Sequence, residues 1–162
     1  MTQIVPLAAA AGIIGLGALL HLVGMATPHW VDVGLASSGL WSACAMDNCG
    51  ALVDKQGWLI GCEVLSVIGV SSSAAALMFI AIIFFNEFKG RSQNSKFSIF
   101  LLADSLMAGT CIIICIAVYA SKVHDTSLLG YSFYLAIVGG VLIKIGGIIG
   151  FIISRRLSYG AM

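Results

Sequence analysis

Charge is what this sequence has least of. Of its 162 residues, eight are Lys or Arg and seven are Asp or Glu, 9% in all, where a soluble globular domain carries about 25%. So few charges cannot give a chain of this size a water-compatible surface. That excludes a soluble enzyme, a nucleic-acid binder with a basic face and a disordered chain. Chemistry is equally scarce. There is no CxxC, which argues against a thiol oxidoreductase, and no glycine-rich phosphate loop, metal-ligand constellation or nucleophile–base pattern. We therefore expect no catalytic residue, metal, cofactor, nucleic acid or small-molecule substrate. The net charge of +1 says nothing about partners. What is abundant is apolar: 60% of residues are hydrophobic and mean hydropathy is +1.06. The chain reads as a membrane protein whose function lies mainly in its small part outside the lipid.

A helix crosses the hydrocarbon core with roughly 20 mainly apolar residues. Four stretches meet that length, about 4–26, 59–85, 97–120 and 128–154, in one tetraspan domain. The first lacks a basic leader and is too long for a signal peptide. Lys89, Arg91 and Lys96 follow the second span and Arg155 and Arg156 the fourth, against Lys55 and Lys122 on the other side. By the positive-inside rule, segment 86–96, the tail 155–162 and both termini are cytoplasmic, and loops 27–58 and 121–127 lie outside. The fold expected is an all-α membrane protein, a left-handed four-transmembrane-helix bundle with a small extracellular antiparallel β-sheet. Small residues let helices approach in lipid. Gly146 and Gly150 form a GxxxG pair in the fourth span, and Ala8/Gly12 and Ala11/Gly15 pairs lie in the first. They serve packing within the bundle or, alternatively, a dimer face toward a partner.

The first outer loop carries three strand-like patches, His29–Gly34, Gly39–Cys44 and Cys49–Val53, with turns at Ser37-Ser38-Gly39 and Asp47-Asn48. Cys44 and Cys49 face an oxidising compartment and can meet if the segment doubles back, so a disulfide is expected; a reactive or metal-binding pair is the alternative. Trp30, Trp41 and Trp58 read as headgroup anchors, or Trp41 plugs the sheet onto the bundle.

Trp30, then Gly39-Leu40-Trp41, then Cys44 and Cys49 resembles the W…GLWxxC…C signature of the claudin superfamily, with its claudins, epithelial membrane proteins, peripheral myelin protein and calcium-channel gamma subunits. Gly130-Tyr131-Ser132-Phe133-Tyr134-Leu135-Ala136 is similar to the stretch that opens the fourth span of the epithelial and myelin members. Only four residues separate the cysteines, which implies an abbreviated sheet. There is no N-x-[ST] acceptor, and Leu157 to Met162 does not resemble a PDZ-docking end. The resemblance implies a non-enzymatic plasma-membrane protein at cell–cell contacts. Its partners would be lipid and other membrane proteins in cis or trans, itself included. Leu35, Leu40, Met46 and Leu52 would supply apolar contact if exposed, with Met46, Asp47 and Asn48 at the tip. Alternatives are an auxiliary channel or receptor subunit and a cation-favouring paracellular barrier or pore.

Ionisable groups at membrane depth are costly. About 1.5 Å per residue puts Asp104 and Lys144 within reach of an interhelical ion pair; Lys144 snorkelling or an ion relay are the alternatives. Glu63 and Cys62 are expected to reach interface water and His21 to bond Glu63. Cys111 and Cys115 share a helix face as free thiols.

Overall fold

The computed structural model describes residues 4–46, 48–91, 95–123 and 125–160, with the side chains of the last three left aside. Four helices carry the chain: α1 (Ile4–Ala26), α2 (Gly57–Phe88), α3 (Ser95–Lys122) and α4 (Tyr131–Gly160). Each contains a window long and apolar enough to cross a membrane. Around each helix, exposed Leu, Ile, Val and Phe alternate with a narrower buried stripe, the pattern of a helix with oil on one side and neighbours on the other. This is a multi-pass membrane protein. α1 packs most closely on α4 and α2 on α3.

Close approach explains the α1–α4 seam. A Cβ on Gly17 would stand 2.8 Å from the Gly139 carbonyl oxygen, and one on Gly139 would stand 2.6 Å from that of Gly17. Only glycine at both positions lets these backbones touch. The α4 GxxxG pair is spent the same way: Gly146 abuts Ile14 and Ala10, and Gly150 abuts Ile80 and Leu101. It faces inward and offers no dimer surface. Hydroxyl pairs join α4 to its neighbours, with Ser98 and Ser154 Oγ atoms 2.5 Å apart. One apolar cluster (Leu7, Ala10, Ile14, Ala76, Ile80, Ile83, Leu101, Ile153) fills the end of the bundle away from the sheet. A second, around Trp30, fills the loop end.

Between α1 and α2 stands a four-stranded antiparallel sheet in the order β1 (Val31–Val33), β2 (Ala36–Ser38), β3 (Ser42–Ala45) and β4 (Asn48–Ala51). Three strands were expected. Ser37 and Ser38 are strand residues rather than a turn, pairing with Asp32 and Val31 on one side and with Cys44 and Ala43 on the other. The chain reverses instead at Gly34-Leu35, between the paired Val33 and Ala36. Gly34 takes a φ of +62°, which two-residue hairpin turns of matching twist require. Asn48 likewise belongs to β4, paired with Ala45, so the second reversal starts at Met46 and not at Asn48. A 3₁₀ turn (Thr126–Leu128) precedes α4, which starts three residues later than the fourth span was expected to.

Candidate functional site: the stapled sheet and its anchor

Where all four strands overlap, register sorts the sheet into three rows. Val31, Ser38, Ala43 and Gly50 form the row on the bundle side, with the Ser42–Ala51 pair of β3 and β4 beyond it; Asp32, Ser37, Cys44 and Cys49 form the next; Val33, Ala36, Ala45 and Asn48 form the outermost. Because side chains alternate between faces, the middle row points opposite to the other two. Cys44 and Cys49 are directly opposed across β3 and β4, with Cα atoms 4.0 Å apart, and are joined by a disulfide. With His29, Leu35 and Met46, this face borders an open hollow of about 600 Å³.

The root of the sheet is Trp30, which is completely buried. Its indole packs tilted against Tyr119, with ring centres 4.8 Å apart, and edge-on at 5.7 Å against Phe133. Its Nε1–H donates to the Gly24 carbonyl at 2.8 Å, satisfying one of the orphan acceptors at the end of α1. Its backbone N–H donates to Ser38 and its carbonyl accepts from Gly130 N–H, both at 2.9 Å. The headgroup-anchor reading of Trp30 is therefore corrected: this tryptophan plugs the sheet onto the bundle, and Trp41 packs against the same cluster from its edge. Trp41 is half-buried, with the Lys55 ammonium 5.2 Å from its ring centre. Trp58 lies edge-on to Tyr119 at 5.6 Å.

The other signature residues have equally local reasons. A side chain on Gly39 would run into the Thr27 carbonyl, 2.7 Å away, and Pro28 Cα, 2.8 Å away. Leu40 is wholly buried and cannot join a contact surface, which corrects that expectation; Leu52 is half-buried in the same cluster. On the α4 side, a Cβ on Gly130 would collide with the His29 carbonyl and the Asp32 carboxylate. Ser132 donates its backbone N–H to His29 at 3.1 Å, and its Oγ lies 2.6 Å from Thr27 Oγ1. Phe133 completes the Trp30 cage. The W…GLW and G-Y-S-F stretches, a hundred residues apart, thus form one packed node. Tyr119 of α3 closes it; no motif surrounds Tyr119, so sequence reasoning had nothing to find it by.

At the edges the sheet differs. β1 is covered by the second loop, Val31 bridging to Leu129. β4 is exposed along its length with no strand beyond it among the described residues. His29 Nδ1 and Asp32 Oδ1 are 2.9 Å apart, and His29 stacks on Tyr131 at 4.9 Å. In the second loop, the Ser127 hydroxyl and backbone N–H hold the Asp125 carboxyl below the usual carboxylate range.

The distal end carries the partner-contact candidates. Leu35 and Met46 are each 76% exposed, and Met46 N–H donates to the Leu35 carbonyl at 2.7 Å, so the two turns sit side by side. Asn48 is exposed next to them; Asp47 lies outside the described residues. Met46 has a φ of +53°, a conformation that costs a non-glycine residue about 1 kcal/mol or more.

Within the bundle three expectations are corrected. Asp104 and Lys144 do not form an ion pair; among the described residues the pairs are His29–Asp32 and Lys55–Glu63. The reason is register: Lys144 lays its stem over Gly109 while Gly147 meets Ser105. Asp104 is therefore five residues, about 7.5 Å along α3, from the Lys144 level, and is rotated off the α4-facing line. Glu63 bonds Lys55, not His21, whose Nε2 faces the Ser66 carbonyl at 3.4 Å. Cys62 is buried and reaches no water; its thiol contacts the Cys115 carbonyl at 3.4 Å. Cys62, Cys111 and Cys115 are free thiols. No group of three or more His, Cys, Asp or Glu among the described residues could hold a metal ion.

No family model matches this chain, and no curated protein does.

Proposed function

We propose that this protein is a claudin-like tetraspan of the plasma membrane that works, without catalysis, in cell–cell contact. Its outer sheet is the contacting part, and both termini and the Lys89–Arg91 turn lie in the cytoplasm. The observation that carries this reading is the tip: two large apolar side chains, Leu35 and Met46, held side by side in water. They stand on a sheet cross-linked by Cys44–Cys49 and rooted through Trp30. Exposed apolar groups on a rigid support suit a surface meant to be covered. Backbone strain at Met46 fits the same reading, since strained positions persist where function uses them. An auxiliary subunit would dock laterally in the membrane, and the α4 glycines that could seat a partner helix are occupied inside the bundle.

The test mixes cells that express the protein with cells that do not and scores its enrichment at contacts. Wild type concentrates at boundaries between expressing cells. Leu35→Asp with Met46→Asp, at equal surface level, abolishes that enrichment. Unchanged enrichment in this double variant rejects the reading.

A further inference from the structure

Away from the sheet, α1 and α2 share a core through Leu7, Ile14, Ala76 and Ile80 but leave the outer part of their seam open. Between the first turns of α1 and the last turns of α2 runs an apolar groove of about 440 Å³, walled by Leu7, Ala8, Ala11, Leu77, Ala81 and Phe85. Its size falls within the range of about 300–1,000 Å³ typical of ligand pockets. From Leu77 to Phe85 it extends about 12 Å along α2, less than the roughly 15 Å of one leaflet's hydrocarbon. The walls are alanine where bulk would close the gap, and no polar side chain enters.

The mouth of the groove is charged. Phe85 forms its end wall, and the Lys89 ammonium sits 4.2 Å from the centre of the Phe85 ring. Arg91 is exposed just beyond. Glu87 lies three residues past Phe84, which also lines the groove, so the mouth carries one carboxylate against the two cations Lys89 and Arg91. An apolar slot one leaflet deep, opening at a cation placed at headgroup level, matches one ligand chemistry: an acyl chain with an anionic head. We propose that the α1–α2 groove holds an anionic phospholipid of the leaflet on the Lys89 side. One acyl chain lies between Ala11 and Ala81, and the phosphate meets Lys89. A membrane-spanning partner helix is the less suitable occupant, because it crosses both leaflets while this slot ends within one.

The test uses the full chain in nanodiscs of equal phosphatidylglycerol and phosphatidylcholine with matched acyl chains. Lipids retained after gentle release are counted by native mass spectrometry. Wild type retains one lipid, with phosphatidylglycerol preferred. Lys89→Gln, a surface change that leaves folding alone, lowers the phosphatidylglycerol-to-phosphatidylcholine ratio about fivefold, the effect of one lysine at a membrane surface. Ala81→Phe fills the slot and removes both lipids, while the lipid-facing control Val141→Phe removes neither. The proposal is overturned if Lys89→Gln leaves the ratio unchanged, if Ala81→Phe retains lipid like wild type, or if Ala81→Phe instead breaks a dimer of the chain.

Discussion

Replacing Trp30 with alanine removes a side chain that touches α1, α3 and α4 at the root of the sheet. The indole is completely buried, and truncating such a ring costs about 3–5 kcal/mol, transfer and cavity terms combined. The Gly24 carbonyl also loses its short donor and keeps only Thr27 Oγ1 at 3.5 Å, adding about 1 kcal/mol. Trp30→Phe separates the two contributions: the smaller ring keeps much of the contact with Tyr119 and Phe133 but cannot donate, so we expect about 1–2 kcal/mol. Trp41, half-buried beside Lys55, is the control; Trp41→Ala should cost clearly less than Trp30→Ala. Reversible unfolding in mixed micelles measures all three. The local consequence is read by hydrogen exchange at Gly130 N–H, whose acceptor is the Trp30 carbonyl; that amide should lose protection in Trp30→Ala. If Trp30→Ala costs no more than Trp41→Ala, or Gly130 stays protected, the anchor reasoning is wrong.

Breaking the Cys44–Cys49 staple with paired serines should cost about 2 kcal/mol, the chain-entropy value for so short a loop, read by the same unfolding assay. Met46→Gly should stabilise the hairpin by about 1 kcal/mol by relieving the positive φ, yet weaken contact enrichment because the apolar side chain is gone. A double-mutant cycle of Asp104→Asn and Lys144→Met should return a coupling within about 0.5 kcal/mol of zero. A larger value restores the ion pair. The Asp125 carboxyl, observed by NMR, should titrate below the unperturbed value of about 3.9. Its folded-state pKa is depressed, so its contribution is present above that unperturbed value and disappears as pH falls through the folded pKa.

Much of this architecture is legible from residue type alone. Spans follow from apolar length because lipid leaves the backbone no choice but helix. The disulfide follows from two cysteines flanking a turn-sized gap. The second of four strands was not legible: Ser37-Ser38-Gly39 has turn composition, and the turn at Gly34 is masked by the apolar Leu35 after it. Tertiary pairing on both sides made those serines a strand. Trp30 misleads because aromatic belts and aromatic plugs look alike when depth is the only coordinate. Asp104 and Lys144 fail similarly, for depth can be counted from sequence whereas helix rotation and register depend on which glycine faces which neighbour. The tip was half legible: Met46 and Asn48 stand out as turn neighbours, but only pairing of the two hairpins brings Leu35 beside Met46.

The central claim, that the tip meets a molecule on the opposing cell, is tested most directly by a photocrosslinking residue at position 46. Two differently tagged cell populations would each express that variant and be irradiated once contacts have formed. The account predicts adducts that carry a tag from one population joined to a protein of the other. Adducts confined to a single cell's own proteins, or none at all, contradict it.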